Sequence, residues 1–207
     1  MTRFWIGGSP CAGKSSVAAA LAARHGLRHF ECDRGTPARM AAMSGRGHLA
    51  YEELVALPIC ARLARPPEWQ AEREREFYHE QFAYLLAELP DAGVIAEGAD
   101  LLPELLAGAG VPIERAVWIV PAPEFQRRHY AGRPWVGPYL AGCPDPAAAF
   151  ESWMRRDALF ARHVRAAAEQ LGGRVLVVDG ALSLKETVVT VERHFGLRPT
   201  KTVGGWP

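Results

Sequence analysis

The chain has 207 residues, 24 Lys+Arg against 23 Asp+Glu, and an apolar content of 49%. That length suits one domain over residues 1–207 with a full core, and a net charge of +1 leaves no global field to draw nucleic acid or a membrane surface, so any basic site must be local. No apolar run is long enough to cross a bilayer and Arg3 interrupts the start, so neither a span nor a secretory signal is expected and the cytoplasm is the expected compartment.

Arg3 to Ile6 reads as a short strand. It runs into GGSPCAGKSS, Gly7 to Ser16, which contains a complete G-x-x-x-x-G-K-S phosphate-binding loop from Gly8 to Ser15. Gly8 and Gly13 allow the backbone to turn back with its N–H groups pointing inward, and Ser9, Pro10, Cys11 and Ala12 complete the concave nest. Anionic phosphates held there face the positive end of the following helix, which Ser16 opens and which ends before Gly26. Lys14 would reach the β and γ phosphates, and the Ser15 hydroxyl would complete the coordination of Mg²⁺.

The second strand, Leu27 to Cys32, leads to Asp33. Ligands of open parallel sheets bind beyond the carboxyl ends of the strands, so Asp33 is placed to orient or deprotonate an acceptor hydroxyl. The competing reading is a turn aspartate before Arg34-Gly35-Thr36-Pro37. Glu31 shares a strand face with Asp33 and is a weaker candidate for the same task. A helical insert follows over about 37–89, with Trp69, Phe77, Tyr84 and Leu85 on one face. Its aromatic residues Tyr51, Trp69, Phe77, Tyr78, His79, Phe82 and Tyr84, together with Trp135, Tyr139 and Trp153, could wall a pocket for an apolar or planar acceptor, though most such residues pack cores.

The third strand, Gly93 to Ala96, closes on Glu97-Gly98, and Glu97 is the expected second Mg²⁺ group. The fourth, Arg115 to Val120, feeds a short helix carrying Arg127 and Arg128, then Arg133-Pro134 in a Gly/Pro-rich stretch. This segment, about 127–157, reads as a lid whose Arg128 and Arg133 would neutralise charge on a transferring phosphoryl group. A helix from Ala147 to about Leu171 carries Arg155, Arg156 and Arg162. The fifth strand, Arg174 to Val178, precedes Asp179, expected to cap a helix beginning near Ser183, with Gly180 near the nucleotide base. Arg198 to Pro207 has no periodicity and is expected to be loosely held. Strands alternating with helices predict an α/β fold: a five-stranded parallel sheet with helices on both faces. Cys11, Cys32, Cys60 and Cys143 are widely spaced, which suggests neither a zinc site nor a disulfide, and Cys11 and Cys32 read as small packing residues.

The loop, Asp33, the EG strand end, the arginine-bearing lid and the closing VLVVDG strand together resemble P-loop kinases of the nucleoside-monophosphate and shikimate kinase type. The likeness covers almost the whole chain and implies the P-loop NTPase fold. Arg133-Pro134 is similar to the lid pair of shikimate kinases, but Glu97-Gly98-Ala99 replaces their glycine-rich third-strand turn, which argues against shikimate. Glu97 to Pro103 is similar to the E-G-x-x-L-x-P stretch of 2-phosphoglycerate kinase-like proteins. The GG-x-x-x-AGKS loop resembles that of chloramphenicol phosphotransferase-like enzymes, which use the corresponding aspartate as a base. The expectation is an ATP- and Mg²⁺-dependent kinase, monomeric or homodimeric, acting on a hydroxyl of a small molecule. A nucleoside or nucleoside-monophosphate kinase, using Arg39, Arg62 or Arg65 for the second phosphate, is an alternative. A nucleotide-binding switch or ATPase acting on a partner protein is another.

Overall fold

The computed structural model describes residues 2–198. Its five strands, β1 (Arg3–Gly8), β2 (Arg28–Glu31), β3 (Val94–Glu97), β4 (Ala116–Pro121) and β5 (Arg174–Val178), form one sheet in the order β2-β3-β1-β4-β5. Every pairing is parallel, with Ile6 opposite Glu97 and Gly8 opposite Ile119. The expected α/β class and strand count are therefore observed, and β3 neighbours β1 while β5 lies at the edge. Residues of β3 and β4 are buried throughout, so those strands read as continuous apolar runs, whereas the edge strands β2 and β5 are partly exposed.

Alternation along the strands divides the core in two. Phe4, Ile6, Ile95, Val117 and Ile119 pack against α1 (Lys14–His25) and α10 (Leu184–His194) through Val17, Leu21, Val188 and Val191. Trp5, Ala96, Trp118 and Val120 face the other way, onto α5 (Pro67–Glu88), α6 (Pro103–Gly108) and α9 (Pro146–Gln170) through Leu85, Leu106, Phe160 and Val164. Between β2 and β3 the chain forms α2 (Cys32–Met43), α3 (Leu49–Ala56), α4 (Ile59–Leu63) and α5. After β4 come α7 (Pro123–Ala131), α8 (Val136–Leu140) and α9. These two segments share a small apolar cluster in which Leu63 of α4 joins Tyr130, Val136, Leu140 and Trp153.

Three expectations are corrected. β2 stops at Glu31, and Asp33 lies in the first turn of α2, so Glu31 and Asp33 do not share a strand face. The helix begins before Pro37 and carries it inside; lacking an N–H, Pro37 leaves the Asp33 carbonyl without its usual helical donor. Asp179 does not cap α10. Its Oδ1 accepts from the Ala181 N–H at 2.8 Å, while Ser183 is the cap in a reciprocal box with Glu186. Finally, Cys60 and Cys143 form a disulfide joining α4 to the loop before α9. At a sequence separation of 83, no spacing signal could announce the pair; folding brings them together. The expectation of a loosely held tail falls, apart from Arg198, outside the described residues.

Candidate functional site

The turn from β1 into α1 is shaped by close backbone contact. Gly8 has φ 133°, and a Cβ there would overlap the Ile119 carbonyl, whose oxygen accepts from the Ser9 N–H at 3.2 Å. Gly13 caps α1 in the left-handed region at φ 79°, placing Lys14, Ser15 and Ser16 in the first helical turn. Cys11 takes φ 63°, a conformation that costs a non-glycine residue about 1 to 3 kcal/mol and is sustained where the surroundings over-determine it. The first turn of α1 directs its unpaired N–H groups beyond the sheet. An anion there gains typically about 0.3 to 1 kcal/mol from the helix terminus, in addition to direct hydrogen bonds.

Lys14 is buried, and its ammonium donates to the Ser9 carbonyl at 2.9 Å. Burial pushes its pKa down, while Glu97, Asp33, Asp100 and Cys11 act to hold it up. Lys14 and those three carboxylates therefore form one electrostatic cluster at the carboxyl ends of β1, β3 and β2. Glu97 is buried at the end of β3, opposite Ile6. Burial raises its pKa; Lys14 and a hydrogen bond from the Ser15 hydroxyl oppose that shift. Asp33 is exposed at the start of α2.

Arg39, which the sequence offered for a second phosphate, lies beneath Asp33 with Asp100 and Gln81, to which the motifs assigned no role. Arg39 is almost fully buried and donates to Gln81 Oε1 at 3.1 Å, Glu88 Oε2 at 2.8 Å, the Cys32 carbonyl at 2.6 Å, Thr36 Oγ1 at 3.0 Å and Asp100 Oδ2 at 3.4 Å. This network ties the first turn of α2 to α5 and to the segment after β3. It also occupies the Arg39 guanidinium. Burial and the nearby Asp33 carboxylate raise Asp100 to about 7 against the pull of Arg39. The only sequence signal was an aspartate three positions beyond Glu97 in an apolar stretch.

On the other side of the loop, Cys11, Gly13, Ser16, Phe125, His129, Arg133, Val178 and Leu182 line a cavity of about 280 Å³. A Cβ added at Gly180 would meet the Phe125 ring at 3.6 Å, and that ring lies 4.1 Å from the His129 ring. An apolar wall beside a phosphate loop suits a planar nucleotide base. Arg133 reaches this cavity, with its guanidinium 5.2 Å from the Tyr130 ring centroid. Arg128 lies exposed on α7 and lines none of the cavities described here. Arg127 is exposed and paired with Glu151. Arg155 and Arg162 are exposed, while Arg156 turns inward to Glu74 at 3.3 Å and Asp157 at 2.6 Å. Asp157 is buried, accepts from Gln126 Nε2 at 2.8 Å, and is another group outside the motif reading. Burial pushes the Cys11 and Cys32 thiols up, which suits packing residues.

Tyr51, Trp69, Phe77, Tyr78 and Tyr139 line a separate cavity, while Phe82 and Trp153 belong to the apolar clusters. His79, Tyr84 and Trp135 line neither cavity. Among the described residues no group of three His, Cys, Asp or Glu side chains could hold a metal by itself. The Ser15 hydroxyl beside the Glu97 carboxylate is a hard-oxygen pair. It fits Mg²⁺, which keeps several waters and takes its remaining ligands from phosphates. No helix among the described residues is long and apolar enough to cross a membrane.

No known family profile and no curated protein matches the chain. Among matching solved structures is a protein of Chloroflexus aurantiacus described as a "putative kinase", 19% identical, with 93% of this chain and 97% of that chain covered at a TM-score of 0.40. The chemistry of the site rests on its own geometry.

Proposed function

We propose that the chain is a P-loop NTPase acting as an ATP- and Mg²⁺-dependent kinase that transfers the γ-phosphoryl group to a hydroxyl of a small molecule. The carrying observation is the cluster of Lys14, Glu97 and Asp33 around a Gly8-to-Ser15 loop that opens a helix beyond the sheet. In this reading the loop amides and Lys14 bind the β and γ phosphates, and Lys14 exchanges the Ser9 carbonyl for phosphate oxygen. Ser15 and Glu97 would hold Mg²⁺, which would supply positive charge to the transferring phosphates.

Asp33 aims the acceptor hydroxyl and takes its proton. The hydroxyl oxygen bonds to the γ phosphorus, the bond to the β–γ bridging oxygen breaks, and ADP leaves. Arg133 supplies positive charge from the α7–α9 segment, which acts as a lid, while α2–α5 form the acceptor-binding insert. Arg128 would need to move to contribute. The electrostatic interaction of Asp33 with Lys14 and Asp100 supports the acceptor role over that of a turn residue.

ATP turnover measured with and without a panel of hydroxylated metabolites and antibiotics tests the reading. ADP release that depends on one acceptor supports a kinase. Slow hydrolysis unchanged by every acceptor supports the switch or ATPase.

A further inference from the structure

Between α2–α5 and the helices α8 and α9 lies a cavity of about 360 Å³, distinct from the one beside the phosphate loop. Tyr51, Leu54, Trp69 and Phe77 give it apolar walls. Volumes of this order hold a drug-sized molecule. Two of its buried polar atoms, Gln70 Oε1 and Arg62 Nε, have no partner among the described residues.

Gln70 is only 4% exposed, and its amide nitrogen donates to the Arg65 carbonyl at 2.7 Å and to Ser152 Oγ at 2.9 Å. A carbonyl can only accept, so these bonds fix the amide with Oε1 as the free acceptor. A buried acceptor left unmet is costly, and a ligand N–H or O–H would remove that cost.

Charge then limits what can enter. Arg156 also lines the cavity, but it is paired with Glu74 at 3.3 Å and Asp157 at 2.6 Å. Arg39 is held in its network beneath Asp33 and lies outside the lining. Arg62 is therefore the one uncompensated cation among the lining residues. The cavity lies on the side of the reaction end: Met40 in its lining belongs to α2, whose first turn holds Asp33, and Tyr78 in the same lining donates to Glu74 at 3.0 Å and feels the charges of Asp33 and Asp100.

We infer that this cavity receives the phosphoryl acceptor, and that the acceptor is a neutral or singly anionic aromatic alcohol rather than a phosphorylated compound. Its body lies among the aromatic walls, a second oxygen of the molecule accepts a hydrogen bond from Arg62, an N–H or O–H meets Gln70 Oε1, and the reacting hydroxyl points toward Asp33. A nucleoside monophosphate or phosphoglycerate would bring two or more negative charges to a site with one free cation, beside Glu74. The assignment of the occupant as acceptor rests on the kinase reading; the binding chemistry does not.

The probe is 8-anilinonaphthalene-1-sulfonate, an aromatic monoanion with one N–H, titrated by fluorescence into the full chain without nucleotide. One site per chain is expected. Arg62→Met should weaken it by about tenfold or more, the range for a charge-assisted hydrogen bond. Leu54→Trp, which fills the cavity from its wall, should abolish it. Millimolar adenosine monophosphate or 3-phosphoglycerate should fail to displace it. Near-ultraviolet circular dichroism confirms that each variant is folded, and the second variant serves if one is not. Unchanged affinity in a folded variant, or displacement by either phosphorylated compound, overturns the inference. ATP turnover is read separately, so a failed kinase reading leaves the titration interpretable.

Discussion

Lys14 is held by the Ser9 carbonyl and surrounded by carboxylates, a position with little apolar packing to lose. Lys14→Ala is expected to leave a folded protein whose phosphoryl transfer falls by at least roughly a hundredfold, the scale of removing one transition-state donor. Near-normal turnover in purified Lys14→Ala would remove the loop from the mechanism. Asp33→Asn separates two roles. If the carboxylate takes the hydroxyl proton, transfer should drop by about two to four orders of magnitude while ATP affinity barely changes. Asparagine serves a turn equally well, so a stable, ATP-binding variant with full turnover would assign Asp33 to the turn.

Asp100 gives a prediction in pH. Its folded pKa of about 7 lies above the unfolded value of about 3.9, so the folded chain binds more protons at this group than the unfolded chain does. Its contribution to stability is greatest at low pH and is lost as pH rises from about 4 through about 7. Asp100→Asn cannot titrate. Relative to the parent, the variant's Tm should therefore rise across that window, and parallel Tm profiles would contradict the assignment.

The residue-level legibility of the site follows from this difference in kind. Gly8, Gly13, Lys14 and Ser15 carry a fixed spacing because backbone geometry and phosphate contact demand it. Arg39, Asp100 and Asp157 carry none, since their burial and partners come from α5, α7 and the segment after β3 packing together.

At the scale of elements, strand positions were readable because β3 and β4 are apolar on both faces, and their ends were displaced by only a residue or two. The start of α2 was not. Pro37 reads as a helix start, yet α2 begins at Cys32, whose carbonyl also accepts from Arg39. The lid reading gains a constraint that no local pattern contains: Cys60–Cys143 joins it to α4. Closing a loop of this length restricts the unfolded chain by roughly 4.5 kcal/mol in the chain-entropy account. Cys60→Ser or a reductant should lower Tm by about 10 °C. It should also quicken amide hydrogen exchange in residues 133–143 and 57–66 together. Faster exchange in neither segment would mean that the apolar cluster around Trp153, and not the disulfide, holds them.

For the whole molecule, the strand order β2-β3-β1-β4-β5 explains why residues from five separate segments meet. β1 at the centre delivers the loop, β3 beside it delivers Glu97, and β2 beyond leads to Asp33. β4 and β5 on the other side lead to α7 and to the residues near Gly180 that wall the second cavity. In the proposed reading, phosphates lie in the middle, the acceptor on one side and the base on the other. Composition and alternation made the layered sheet legible, but the cavity proposed for the acceptor needs α2, α3, α4, α5, α8 and α9 in place at once, which no single stretch encodes. The most direct test is ³¹P NMR of the full chain with ATP, Mg²⁺ and the hydroxylated panel. The account predicts a new phosphate-ester resonance that appears with ADP, requires the acceptor and is lost in Lys14→Ala. ATP consumed only to inorganic phosphate, at a rate indifferent to acceptor and to Lys14→Ala, would contradict it.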